Sequence, residues 1–302
     1  MSDTRRWPAY FCAAAAVLLW GTSFVASKVA LRSLSPLSLV AGRGLLGLAT
    51  VAAALPFGRP RRPESPRPFD SSRTALLGFI GVPVHLALQA YALTMTSAVH
   101  SGWLIALNPV FTAILAAAFL RERFPALKTA GVALGFSGAL VVIWGGAGSL
   151  RLPSTRGDLL ILISSLNWAA YTLLTREISV RRRPLPLTFR ALAVGTAVSV
   201  GIWVAAGDPA ELARASVESW VALAFLGVGC TGVGYLVWSL ALERLEAGTL
   251  SSFQYVQPLV TAGVAAVWIG EATGKAVLLG GGLVLAGVAL VQRSAARGTV
   301  QG

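Results

Sequence analysis

W-G-T-S-F-V-A-S-K occupies residues 20–28, and W-A-A-Y-T-L-L-T-R occupies residues 168–176. Trp20 and Trp168, like Lys28 and Arg176, therefore stand 148 residues apart. The same spacing relates Pro36 to Pro184 and Gly47 to Gly195. At 149 residues, Asn108-Pro109 answers Gln257-Pro258, Glu122 answers Glu271, and Gly138-Ala139-Leu140-Val141 answers Gly287-Val288-Ala289-Leu290. Solenoid units run to about 20–50 residues, so a period this long marks a duplicated half-protein instead.

The sequence between these landmarks is almost continuously apolar. Hydrophobic residues make up 55% of the chain and charged residues 12%, with a mean hydropathy of +0.71. A soluble globular chain carries about 25% charged residues, so this one has too little charge to cover a water-facing surface. A bilayer core about 30 Å thick needs roughly 20 apolar residues per helix. Ten windows qualify: 9–31, 36–56, 74–94, 98–120, 127–146, 157–176, 187–206, 219–242, 248–269 and 275–292. The runs are continuous, not alternating, which excludes strand spans. The fold class is an all-α integral membrane protein of ten transmembrane helices in two five-helix repeats, 9–146 and 157–292, followed by a cytoplasmic tail, 293–302. Five is odd, so the second repeat enters the membrane from the opposite face. Two inverted halves of this kind place a binding site near the midplane and let access alternate between the two sides.

Charge placement sets the orientation. With the amino terminus inside, the Arg-rich runs 59–67 and 181–183, with Arg5, Arg6, Arg121, Arg123, Arg244 and Arg293, fall on the cytoplasmic side. The other side receives Arg32, Arg151, Arg156, Arg214 and Lys275. This is the positive-inside pattern, and both termini are expected in the cytoplasm. The net charge of +13 thus reads as topology anchoring and contact with anionic lipid. No aromatic-interleaved basic platform accompanies it, so no nucleic acid partner is expected. Arg5 and Arg6 before an apolar run also fit a signal peptide, but that run continues past Trp20 to Leu31, beyond a 7–15-residue signal core. Cys12 and Cys230 lie within spans and read as small apolar residues, not as a disulfide.

Several polar side chains lie at membrane depth, where such groups normally face a bundle interior or a water-filled cavity. His85 and Gln89 share a helical face at a spacing of four. Ser101 and Asn108 share another, and Gln254 and Gln257 stand three apart. Pro109 and Pro258 each remove a backbone donor, so both amide–proline pairs are expected to break their helices near the midplane. Two roles stand open for these amides and for His85: cavity contact, or hydrogen bonds that hold the bundle together. The repeat equivalence favours the cavity for Asn108 and Gln257. Aromatic residues inside the spans, Trp20, Trp168, Tyr171, Tyr235 and Trp238, suit the walls of a substrate site. Trp7, Trp144 and Trp220, near span ends, suit interface anchoring. Ser23 lies one turn from Trp20. Lys28 and Arg176 are candidate gates or anion contacts, with snorkelling as the alternative. Arg43 is set deeper. Glu122 and Glu271 close equivalent helices and are expected to cap or fix loops. Gly131, Gly135, Gly138, Gly280–Gly282 and Gly287 permit close helix approach, within the protomer or in a homodimer.

Five-plus-five helices, W-G-T-S-F-V-A-S-K in the first span, Asn-Pro midway along the fourth, Glu-Arg at its end and a Gly-rich fifth resemble the EamA-type transporters of the drug/metabolite transporter superfamily. The resemblance covers about residues 10–293. It implies a bacterial inner-membrane exporter or permease for amino acids or related neutral or zwitterionic metabolites. It leaves the substrate open, since that superfamily also holds drug, sugar-phosphate and nucleotide-sugar carriers. Small multidrug members carry a glutamate in their first helix, where this chain has Ser23 and Ser27. That departure counts against proton-coupled efflux of cationic drugs, the alternative reading.

Enzyme motifs are absent: there is no H-E-x-x-H, no G-x-x-x-x-G-K-[ST] and no G-x-S-x-G. The acidic residues all fall in loops, tails or span ends, without the Asp cluster that would hold Mg²⁺ against a pyrophosphate. No cofactor or metal is expected. The partners expected are a small-molecule substrate and lipid, and the oligomeric state reads as monomer or homodimer. An intramembrane enzyme and a non-transporting scaffold are the remaining, weaker alternatives.

Overall fold

Prolines and serines punctuate the helices. Pro36 opens the second helix at a position where a missing N–H costs nothing, and Ser35 Oγ accepts from Ser38 N to cap it. Ser97 and Ser216 cap two further helices in the same way, through His100 N and Ser219 N. The computed structural model describes residues 7–57, 71–120, 125–145, 152–179, 184–242, 244–245, 250 and 253–298. The Arg-rich runs 59–67 and 181–183 and Glu122 lie outside the described residues.

The principal helices are α1 (Trp7–Ala30), α2 (Pro36–Ala54), α3 (Ser71–Met95), α4 (Ala98–Ile105), α5 (Asn108–Leu120), α6 (Ala126–Gly145), α7 (Leu152–Ser179), α8 (Pro184–Ala206), α9 (Val217–Leu242), α10 (Gln257–Trp268) and α11 (Lys275–Gly298). No strand occurs among the described residues. Among the described residues, seven helical stretches are long and apolar enough to cross a membrane, and Thr129–Val142, Gln257–Trp268 and Lys275–Leu290 are shorter apolar helices. The surface is apolar, with Phe11, Phe119, Val204 and Val267 exposed, while Arg43, His85, Asn108, Asp158 and Gln257 are buried. That inside-out distribution suits lipid as the solvent.

Packing follows the repeat. The first helix α1 lies against α9 and α10, and its sequence partner α7 lies against α3 and α5. Likewise α2 packs on α9 where its partner α8 packs on α3. The most extensive contact joins α6 to α11, and glycine explains it. A Cβ on Gly138 would stand 2.6 Å from the Gly280 carbonyl oxygen, and one on Gly287 would stand 2.4 Å from Gly135 N. The glycines of these two helices thus serve packing within the protomer, whereas Gly282 has nothing within 4 Å.

Two spans are interrupted at the amide–proline pairs, where breaks are expected from the sequence. The fourth breaks at Ala106–Leu107, between α4 and α5. Pro109 cannot donate to Ile105, and Leu107 N turns instead to Leu104 O at 3.1 Å. In the ninth, a tighter turn, Phe253–Val256, precedes α10, whose helix opens on Gln257-Pro258. Two further helices depart from regular α-helical geometry. In α3 the segment Ile80–Val84 is π-helical around Pro83, and in its repeat partner α9 the segment Phe225–Val233 is π-helical too. Each wider turn frees carbonyls from the regular ladder.

Candidate functional site

The freed carbonyls and broken helices meet between the two halves. Gly81 O, in the π-helical turn of α3, accepts from the Tyr235 hydroxyl of α9 at 2.8 Å. Cys230 O, in the π-helical turn of α9, accepts from Trp20 Nε1 of α1 at 2.9 Å. Asn167 Nδ2 reaches Ile80 O at 2.8 Å. Each half thus pins an aromatic or amide side chain of the other.

Those bonds set the aromatic wall of a cavity. The Trp20 ring meets Trp168 edge-on at 5.2 Å and Trp238 at 5.0 Å, while Trp168 stacks on Tyr171 at 4.9 Å. Tyr235 lies edge-on to Trp168 at 5.8 Å, and the His85 imidazole sits 4.8 Å from the Trp168 ring. The repeat is not followed to the last atom. Trp20 donates its indole N–H to a carbonyl, whereas the N–H of its partner Trp168 has no hydrogen-bond partner among the described residues.

Much of the remaining lining is polar. Asn108 begins α5 and Gln257 begins α10, each at the break its proline creates, and both line the cavity. Asn108 Oδ1 and Gln257 Oε1 are buried without a hydrogen-bond donor among the described residues. An unmet acceptor at this depth costs about 1–3 kcal/mol, so both oxygens are set to receive a donor from whatever enters. His85 is served on both ring nitrogens, Nδ1 by Ser164 Oγ at 3.0 Å and Nε2 by Gln89 Nε2 at 3.2 Å. Ser23 donates to Trp20 O at 2.6 Å. Arg43, 5% exposed, donates from Nε to Thr231 Oγ1 at 2.8 Å. Gln254 also lines the cavity, and no carboxylate does so among the described residues.

Of the residues singled out from sequence, Trp20, Ser23, Arg43, His85, Gln89, Asn108, Trp168, Tyr235, Gln254 and Gln257 come together around this cavity. Tyr171 and Trp238 stand behind it, as ring partners of Trp168 and Trp20. Pro109 and Pro258 shape the backbone. Arg176 is exposed near the far end of α7, and half-buried Lys28 faces the charge of Glu271. Glu271 itself holds the start of α4, accepting from Ala98 N and Val99 N at 3.2 and 3.0 Å. Phe24, Leu86 and Ile105 also line the cavity. They escaped notice because apolar residues in an apolar helix carry no signal.

Asp158, one of the acidic residues at a span end, is fully buried. Its carboxylate accepts from Thr96 Oγ1, and its other oxygen lies 3.2 Å from His100 Nδ1. Lying near the start of α7, Asp158 reads as loop-proximal. It is buried because Gly157 brings α7 onto the end of α3, where a Cβ would stand 2.9 Å from Ala92 O.

Known proteins share the family and the fold of this chain. The model of the EamA-like transporter family matches residues 7–144 and again residues 155–293. A probable terminal-alkyne amino-acid exporter of Streptantibioticus cattleyicolor is 31% identical, over 92% of this chain and 91% of its own. A probable amino-acid metabolite efflux pump of Salmonella typhimurium is 26% identical, over 92% of each chain. A solved crystal structure, 22% identical and covering 94% of this chain and 97% of its own, superposes with a TM-score of 0.69 and shares the fold.

Proposed function

Because the chain belongs to the EamA-like transporter family, we propose that it exports small neutral or zwitterionic metabolites, amino acids foremost, by alternating access around the cavity between its halves. The observation that carries this reading is the pair of repeat-related amides, Asn108 and Gln257, each at a helix break and each with an unmet oxygen on one cavity. Helix breaks that aim polar groups at a central site are a recurrent device of carriers built from inverted repeats. The names of the two amino-acid-exporting relatives point the same way. Counterflow in proteoliposomes against a panel of amino acids tests it. Accumulation of labelled substrate against unlabelled internal substrate is expected, and no counterflow with any panel member would refute the reading.

The transport reading carries a topology: ten spans in two inverted repeats, both termini cytoplasmic, in a bacterial inner membrane. The seven long and three shorter apolar helices are compatible with ten crossings. A cysteine at exposed Ala213, in the short helix Ala210–Arg214, should react with an impermeant maleimide in intact cells, and one at Ser65 should not. The opposite labelling pattern would reverse the orientation.

Facilitated movement or exchange is the expected mode, since no carboxylate lines the cavity among the described residues. Proton coupling has one observation in its favour, the buried pair His100–Asp158, because a proton-driven carrier needs a group that titrates between its two access states. Flux in liposomes is expected to persist when the pH gradient is collapsed, and to survive Asp158→Asn and His85→Gln at reduced rate. Flux that stops with protonophore and is abolished by Asp158→Asn would transfer coupling to the His100–Asp158 pair. Abolition by His85→Gln alone would assign it to His85.

A further inference from the structure

Arg43 is a buried cation with no anionic partner among the described residues. It sits in α2, faces the cavity, and makes one hydrogen bond among the described residues, from Nε to Thr231 Oγ1. The ion pairs formed among the described residues join Arg73 to Glu177, His100 to Asp158 and Arg214 to Asp208. None includes Arg43. Its two terminal amino groups therefore meet no protein acceptor there. A guanidinium in this position has paid desolvation with no countercharge to offset it.

Thr231 belongs to the π-helical turn of α9, and its hydroxyl takes the Nε edge of the guanidinium. That bond holds one side of the planar group and leaves the two-pronged far edge for a planar anion. A carboxylate matches it with two parallel N–H···O bonds. The cavity also presents the complementary requirement. Asn108 Oδ1 and Gln257 Oε1 want donors, and an ammonium group is all donors. The aromatic wall of Trp20, Trp168 and Tyr235 remains for an apolar side chain.

We propose that Arg43 anchors the carboxylate of the transported molecule, with the substrate ammonium at Asn108 and Gln257, so that the substrate itself supplies the missing countercharge. This rests on the transport reading and narrows it from neutral or zwitterionic metabolites to those that carry a free carboxylate.

The test uses the full-length protein in proteoliposomes with three probes: L-leucine, L-leucinamide and isoamylamine. The three share a side chain, and the last two lack the carboxylate. L-Leucine should exchange, and the other two should exchange at least about tenfold more slowly, the scale of one lost charge-assisted hydrogen bond. Arg43→Gln should lower L-leucine exchange about ten- to hundredfold while the variant keeps the monodispersity and melting temperature of the parent. Arg43→Lys, which keeps the charge but not the fork, should recover part of the loss. The comparison of acid with amide on the unmodified protein needs no variant to fold. L-Leucinamide exchanging as fast as L-leucine would overturn the proposal and leave transport standing, as would unchanged L-leucine exchange in a folded Arg43→Gln protein. No exchange of any of the three, with none across the wider amino-acid panel, would defeat the transport reading and this inference together.

Discussion

Gly78→Ala, Gly195→Ala and Gly138→Ala are each expected to lower the melting temperature of the purified protein sharply. Gly201→Ala, Gly263→Ala and Gly282→Ala should leave it unchanged or raise it. The opposite signs come from the same chemical change in two surroundings. A Cβ at Gly78 would stand 2.2 Å from the Ala191 carbonyl oxygen, and one at Gly195 would stand 2.4 Å from the Gly78 carbonyl oxygen. Backbone cannot rotate away as a side chain can, so α3 and α8 must separate. Overpacking of this sort costs about 1–3 kcal/mol, and contact with backbone places these sites at the upper end. Gly201, Gly263 and Gly282 are helical with nothing within 4 Å. There alanine gains about 0.5–1 kcal/mol through reduced backbone entropy. Detergent melting of the six variants checks both signs, and equal losses in both groups would mean that close helix approach is not what these glycines provide.

Asn108→Ala and Gln257→Ala are each expected to cut substrate flux about five- to thirtyfold, equivalent to about 1–2 kcal/mol for a lost amide–substrate hydrogen bond. Folding should be preserved. Neither oxygen has a hydrogen-bond donor among the described residues, so truncation removes an unmet acceptor. The measurement is counterflow rate per folded protein, with the melting temperature as control. If flux stays normal while the melting temperature falls, the two amides are structural and the cavity reading of them fails.

These expectations draw on features of unequal visibility in the sequence. His85 and Gln89 are four residues apart, and their contact at 3.2 Å could be read from helical spacing alone. Pro109 and Pro258 announce their helix breaks because the missing N–H is a property of one residue. Pro83, a residue of the same kind, produced a π-helical turn instead, and nothing local separates the two outcomes. Arg43 could be seen to lie in a span, but not to lack an acidic partner among the described residues.

The sequence by itself determined the membrane class, the duplication and the identity of most polar and aromatic residues that line the cavity, because these follow from composition, periodicity and short spacings. Tertiary structure decided how they are used. Trp20 bonds to Cys230 O across 210 positions, Arg43 to Thr231 across 188 and Tyr235 to Gly81 across 154. Such partners depend on how the two halves dock, which residue spacing does not encode. The same docking buried Asp158 against His100, and it gave Trp20 a hydrogen-bond acceptor that its repeat partner Trp168 lacks among the described residues. A duplicated sequence specifies two similar halves. Where both halves carry the same residue, as at Trp20 and Trp168, their packing against one another makes the two unequal, because each lies in surroundings built by its neighbour.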